Sequence, residues 1–250
     1  MSDNKVLVFK DDAGFRDAYG FLLKQGVKPD GSHIHGVAVF KDPAGNVLLR
    51  RKNLVVARGR VFALENLYKL DLDRTIEDLA DFVQDRSRSI CLFSIGTGGT
   101  LPDNPWNPLI VNPWETSIAS PVPFRSYTPS LGESLPTELE NIYYGKEDIE
   151  VGPDGAPAIQ YFLKRMNIDT DFIPQWHIDR DTNVIAVKNI LQIDKFDGRN
   201  YKINEIAFYL ASPKEDENDF ENFEMFSRIT FDTESLHDNK SLTIEYYTFC

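Results

Sequence analysis

Alternation of apolar and polar positions dominates the C-terminal half of the chain. Leu242, Ile244 and Tyr246 alternate with Thr243, Glu245 and Tyr247, a period of two that predicts a strand with one apolar face. Tyr161–Asn167, Val184–Ile193, Tyr201–Leu210, Arg228–Phe231 and Leu242–Phe249 carry the β-branched and aromatic residues of strands. Within Tyr201–Leu210 the apolar set shifts phase between Ile203 and Ile206, which predicts a bulge. Asp197-Gly198-Arg199-Asn200 reads as a turn between the two long strands that flank it.

The N-terminal part is mixed. Val6–Phe9 reads as a short strand, and Phe15–Leu23 as a helix with Phe15, Ala18, Tyr19 and Leu22 near one face. After the turn residues Pro29-Asp30-Gly31, strands Ile34–Phe40 and Asn46–Arg51 are joined by Asp42-Pro43-Ala44-Gly45. Helical spacing recurs over Arg60–Leu70 and Thr75–Val83, the second with Thr75 as N-cap. Both helices are expected to pack on a sheet that contains Ile90–Ile95. The pattern predicts a single domain over residues 1–250. It is α+β, mainly antiparallel β and sandwich-like, with two or three short helices on one side.

Between Leu101 and Pro136 the periodicity stops. Prolines at 102, 105, 108, 113, 121, 123, 129 and 136 are interleaved with Trp106, Trp114, Phe124 and Tyr127. A stretch this long without regular structure is unusual inside a domain unless it binds something. Two readings stay open: an extended arm lying on a neighbouring subunit, or a surface meander that packs its own aromatics. The chain shows no internal repeat and no low-complexity tail on this reading.

Composition narrows the chemistry. The chain has 250 residues, 42% hydrophobic and 26% charged, as in folded globular proteins. A net charge of -12 argues against general nucleic-acid binding, although Arg50-Arg51-Lys52 and Arg58–Arg60 are locally basic. Cys91 and Cys250 do not suggest a disulfide scaffold, and Cys91 sits in an apolar run as a buried thiol. No long apolar stretch follows the opening Met-Ser-Asp-Asn-Lys, so neither a signal peptide nor a membrane span is expected.

Candidate reactive groups each meet a plainer reading. Gly96-Thr97-Gly98-Gly99 follows a strand, as a phosphate-binding loop would, but no Lys-Ser or Lys-Thr comes next. His33 and His35 share a side of a strand and could ligate a metal, but a surface or interface pair is the better explanation. Ser94 lacks the Gly-x-Ser-x-Gly elbow, and Cys91 has no evident base. Asp179 and Asp181 resemble paired carboxylates but flank Arg180 in a charged turn, and Lys214–Asp219 reads as a solvated acidic loop. The reading is therefore non-enzymatic, with no catalytic, cofactor or metal residues assigned. Trp106, Trp114, Phe124, Tyr127, Arg58, Arg60 and Tyr246 are the candidate interface residues.

Asn46-Val47-Leu48-Leu49, Asn53-Leu54-Val55-Val56-Ala57-Arg58-Gly59-Arg60 and Phe93-Ser94-Ile95-Gly96-Thr97-Gly98-Gly99 come in that order. Phe226-Ser227-Arg228-Ile229-Thr230-Phe231 and Ser241-Leu242-Thr243-Ile244-Glu245-Tyr246-Tyr247 follow them. In residue style and order this resembles tail-associated structural proteins of contractile-tailed bacteriophages. The resemblance covers roughly residues 45–100 and 200–250. It implies a non-enzymatic part of a tail, baseplate or neck, placed in the virion after assembly in the host cytoplasm. Its partners would be other virion proteins and copies of itself, with no direct nucleic-acid or membrane contact. Contacts are expected through Leu101–Pro136 and through β edges near the C-terminus. A carbohydrate- or receptor-binding module using Trp106, Trp114 and Tyr127, and a hydrolase using Asp179 and Asp181, are the alternatives.

Overall fold

The computed structural model describes residues 7–8, 12–29, 34–55, 59, 89–151, 156–179, 184–198, 201–214, 220–232 and 241–249. The predicted helices Arg60–Leu70 and Thr75–Val83 lie outside these residues, as do Arg58, Arg60, His33, Asp181 and Cys250.

The elements in chain order are β1 (Leu7–Val8), α1 (Asp12–Lys24), β2 (His35–Lys41), β3 (Val47–Val55) and β4 (Ser89–Gly96). Then come β5 (Thr100–Leu101), β6 (Asn104–Pro108), β7 (Pro121–Val122), β8 (Arg125–Tyr127), β9 (Tyr143–Val151) and β10 (Ala156–Arg165). The last are β11 (Gln175–Asp179), β12 (Val184–Ile193), β13 (Glu205–Pro213), β14 (Phe220–Thr230) and β15 (Leu242–Phe249). Among the described residues a 13-stranded sheet runs β1-β11-β12-β15-β2-β3-β14-β13-β4-β10-β8, with β7 on β4 and β9 on β10. β1 and β11 pair in parallel, and the remaining pairs are antiparallel.

The long sheet turns back on itself at β3. Residues 47–53 of that strand pair with β2, whereas Leu54 and Val55 pair with Arg228 and Ser227 of β14. The two halves then face each other. Phe40, Leu191, Ile244 and Tyr246 from one half share a core with Phe93, Ile206, Phe208 and Phe231 from the other. Stacked rings of Phe208 and Tyr246, 4.1 Å apart, and the edge-on pair Phe40 and Phe231 at 5.0 Å join the halves. Burial of this aromatic layer is the main attractive contribution to folding.

A second seam closes at Asn167, which follows β10 in the left-handed conformation (φ 59, ψ 36). Its N–H donates to the Ile190 carbonyl at 2.8 Å, and its Oδ1 accepts from the Ile190 N–H at 2.7 Å. Asn is among the few residues that tolerate that conformation while offering a side-chain acceptor. The architecture is therefore an α+β fold dominated by an antiparallel sandwich. Helix α1 lays Phe15, Ala18 and Leu22 on the outer face of the first half, against Val37, Val39, Tyr247 and Phe249.

Several predicted elements need correction. β15 is no edge: it pairs with β12 on one side and β2 on the other, so the C-terminal strand offers no free ladder to a neighbour. The Asp197-Gly198 turn does not join paired strands, because β12 and β13 belong to opposite halves and the chain crosses the sandwich between them. Residues Tyr201–Ile203 are not strand; β13 starts at Glu205, and its irregularity falls at Tyr209, where the register against β14 and β4 shifts. The predicted arm also divides. Ile118, Val122, Phe124 and Leu135 are core residues, so the predicted arm is left with a long exposed stretch over residues 101–117 and a short one over 129–134.

Candidate interface loop and the ion pairs beneath it

The exposed segment contains one short motif twice, Asn104-Pro105-Trp106 and Asn112-Pro113-Trp114. The first copy lies in strand β6 and the second in a turn, but the same side-chain hydrogen bond recurs in both. Oδ1 of Asn104 accepts the Trp106 N–H at 3.3 Å, and Oδ1 of Asn112 accepts the Trp114 N–H at 3.0 Å. The proline between them has a fixed φ, so each Asn side chain closes a short turn with little further loss of entropy. Both copies present the indole outward: Trp106 is 55% exposed and Trp114 77%. Between them Ile110 is 96% exposed. Large apolar side chains held outward by ordered backbone are a hallmark of a contact surface rather than of a packed loop.

The base of the loop is anchored to the sandwich. Strands β5 and β6 form a small hairpin of their own. The Leu109 N–H donates to the Gly99 carbonyl at 2.8 Å, and the Thr230 hydroxyl to the Leu109 carbonyl at 2.6 Å. At the far end Arg228 donates from Nη1 to Glu115 at 2.5 Å. The same guanidinium donates from Nε to Glu205 at 2.8 Å and also through Nη2. Burial opposes the Arg228 charge, but the hydrogen bond to Glu115 and the Glu205 carboxylate outweigh it, so its pKa is raised.

Glu205 also explains the glycine cluster. Its side chain is completely buried, and Oε1 accepts the N–H groups of Gly98 at 2.8 Å and Ser120 at 3.1 Å. Oδ1 of Asn204 accepts the Gly99 N–H at 2.6 Å. The protein's own carboxylate thus occupies the place where these amides would hold a phosphate. Space demands the glycines as well: a Cβ on Gly99 would lie 2.0 Å from the Asn204 carbonyl oxygen. Gly99→Ala should therefore lower stability by roughly 1–3 kcal/mol through forced overpacking, read as a shift in the denaturant midpoint. A similar restriction applies at Gly59, the middle of the predicted Arg-Gly-Arg group, where a Cβ would meet the Phe226 carbonyl oxygen at 2.4 Å.

A second charged cluster lies on the β10 side. Lys164 Nζ is 2.5 Å from Asp197 Oδ2, the Tyr143 hydroxyl donates to Asp197 Oδ1 at 2.8 Å, and Arg125 reaches Asp194 at 2.7 Å. The Asp194 N–H completes the Asp197 cradle at 3.0 Å. Burial raises the Asp197 pKa against the opposing pull of Lys164, and burial with the Asp197 charge pushes the Tyr143 phenol far up. The group ties β8, β9 and β10 to the 194–198 crossing, which is a structural task.

The predicted interface residues separate accordingly. Trp106 and Trp114 are on the surface. Tyr127 is half-buried, with its ring edge-on to Tyr161 at 6.3 Å. Phe124 and Tyr246 are corrections. Phe124 is interior because β7 and β8 pair on either side of it, and its ring packs edge-on to Phe93 at 5.2 Å. Tyr246 is interior as well, its hydroxyl accepting from Asn53 Nδ2 at 2.8 Å. Arg58 and Arg60 fall outside the described residues.

Ser94 is buried, and His177 rests on the Phe15 ring at 4.0 Å. Among the described residues no group of three or more His, Cys, Asp and Glu could hold a metal ion, and no helix is long and apolar enough to cross a membrane. Burial pushes the Cys91 thiol up to about 11. Cys91 should therefore react with iodoacetamide at neutral pH at least about tenfold more slowly than an unperturbed thiol, as measured by peptide mass spectrometry.

Sequence reasoning missed Glu205 and Arg228, and it missed the repeat. Arg228 carried a signal, since it is the one charged residue in the strand segment Phe226–Phe231. The repeat was plain in the letters but fell in a segment without periodicity. Comparison with protein-family profiles, curated proteins and solved structures finds no match to this chain.

Proposed function

We propose that this chain is a non-enzymatic structural subunit that assembles with other proteins through the loop 101–117. The observation that carries the reading is the tandem Asn-Pro-Trp motif, whose Asn side chains tie down the Trp106 and Trp114 amides while both indoles face outward, above a base fixed by Arg228. Binding energy is concentrated in such large, pre-ordered side chains because little freedom remains to be lost. Pro105 and Pro108 have no N–H, so β6 is a poor template for an added strand and recognition must run through side chains. Leu101 and Ile110 are exposed too, and their aliphatic surface suits an apolar protein partner better than a sugar ring, which stacks on aromatic faces.

The sequence resemblance to contractile-tail proteins supports placing that assembly in a phage tail, baseplate or neck. Point substitutions are the proper test, because deleting 104–130 would remove the core residues Ile118, Val122 and Phe124. Trp106→Ala/Trp114→Ala should fold normally yet lose at least about tenfold in incorporation into particles. Normal incorporation of the folded variant would reject the proposal.

A further inference from the structure

Apart from the tryptophan loop, the sheet has a long edge of its own. Strand β9 pairs with β10 along its length, and among the described residues no strand pairs with its other side. The Tyr161 carbonyl accepts the Phe124 N–H at 2.8 Å, so Tyr161 turns that group toward β8 and away from β9. Backbone groups alternate in direction along an antiparallel ladder. Lys146, Asp148 and Glu150, which stand opposite Tyr161, Ile159 and Pro157, therefore aim their N–H and C=O groups outward. Pro157 agrees, since it has no N–H to give to Glu150. Unlike β6, strand β9 contains no proline, so its open side is a template for one more strand.

Charge selects which strand fits. Lys146, Glu147, Asp148 and Glu150 are all exposed, and among the described residues no ion pair neutralises them. Asp148 and Glu150 stand on one face and Glu147 on the other. Glu140 lies close to the first face: burial, then the charges of Glu140 and Asp148, raise the Tyr161 pKa. Lysine or arginine on the added strand would stand beside these carboxylates, where opposite charges across strands are stabilising. The net charge of -12 draws a cationic strand toward this body and repels acidic chains, a second copy included. We propose that the open edge of β9 binds a lysine- or arginine-rich extended segment of another protein, which joins the sheet as a strand beside residues 146–151. This surface is separate from loop 101–117 and does not depend on it.

Fluorescence anisotropy with the full chain and two labelled peptides tests this. One peptide alternates L-lysine with L-threonine; the other has the same composition and charge but carries D-threonine, whose chirality bars an ordinary pleated strand. The first should bind at least about tenfold more tightly than the second, because only it can complete the backbone ladder. Its binding should weaken with salt, and Asp148→Lys/Glu150→Lys should reduce it by at least about tenfold. Trp106→Ala/Trp114→Ala should bind it as the parent does, which keeps this edge distinct from the loop. Residue-resolved amide exchange on the parent chain needs no variant to fold. The amides of Asp148 and Glu150 should exchange quickly in the free chain and slow by about tenfold or more with the first peptide, whereas those of Glu147 and Ile149, already bonded to β10, are slow in both. Equal affinity for the two peptides would mean charge attraction without an added strand and would overturn the proposal. No binding of either peptide, full affinity in a folded Asp148→Lys/Glu150→Lys variant, or unaltered exchange at Asp148 and Glu150 would overturn it too.

Discussion

Replacing Arg228 with methionine should destabilise the protein by about 3–5 kcal/mol, because it leaves a fully buried carboxylate without its cation. Glu205 has no route to water: its side chain lies under the glycine run, facing the Gly98 and Ser120 amides and Arg228. Those amide hydrogen bonds remain in the variant but do not replace the two charged guanidinium donors that converge on Oε2. For a chain of this size the loss corresponds to a fall of roughly 6–20 °C in Tm. The same substitution frees Glu115, and with it one end of the tryptophan loop. Arg228→Met/Glu205→Gln should recover most of the stability, since no fully buried unpaired charge is left, without restoring the anchor at Glu115. A single variant as stable as the parent would show that the pair is not the fixed point described.

The second large effect is expected at Lys164, and it depends on pH. Lys164→Met should cost about 3 kcal/mol at neutral pH, for the same reason, since Asp197 is then buried without its nearest cation. Burial already holds the Asp197 pKa above its ordinary value, and Lys164 is the largest influence pulling it down. Without the lysine the folded-state pKa rises further. A carboxyl with a raised folded pKa favours folding below its unfolded value, about 3.9, and loses that contribution as pH climbs through the folded value. The deficit of the variant should therefore be small near pH 4 and grow as pH rises toward 7. Urea titrations across that range measure it, and a deficit independent of pH would contradict the assignment. Lys164→Met/Asp197→Asn should abolish the pH dependence.

Strands were legible where alternation and turn residues agree. Val184–Ile193 and Leu242–Phe249 match β12 and β15 to the residue, since the first is rich in β-branched residues and the second in aromatic and β-branched ones. β9 was hidden because, beyond Gly145, Lys146, Glu147, Asp148 and Glu150 are all exposed and leave no apolar face to read. β14 begins at Phe220, well before the predicted Arg228, because Glu221, Asn222 and Glu224 mask the outer turn of its ladder. Pairing order was out of reach: nothing local tells β15 that its neighbours are β12 and β2.

For the site, the letters marked the right segment but not its division. An aromatic ring looks the same in a core and in an interface, so Phe124 and Tyr246 could not be told from Trp106 and Trp114 until burial separated them. The partnership of Glu205 with Arg228 and the Gly98 amide spans distant parts of the chain, and only the folded sandwich brings them together.

Hydroxyl-radical footprinting of Trp106 and Trp114 tests the central claim most directly, because the claim is that these indoles exist to be covered by protein. In the isolated monomer both should oxidise readily, and in the assembled particle both should be protected at least about tenfold, while Trp176, exposed but outside the loop, serves as an internal reference. Equal oxidation of the two residues in the free chain and in the particle would contradict the account.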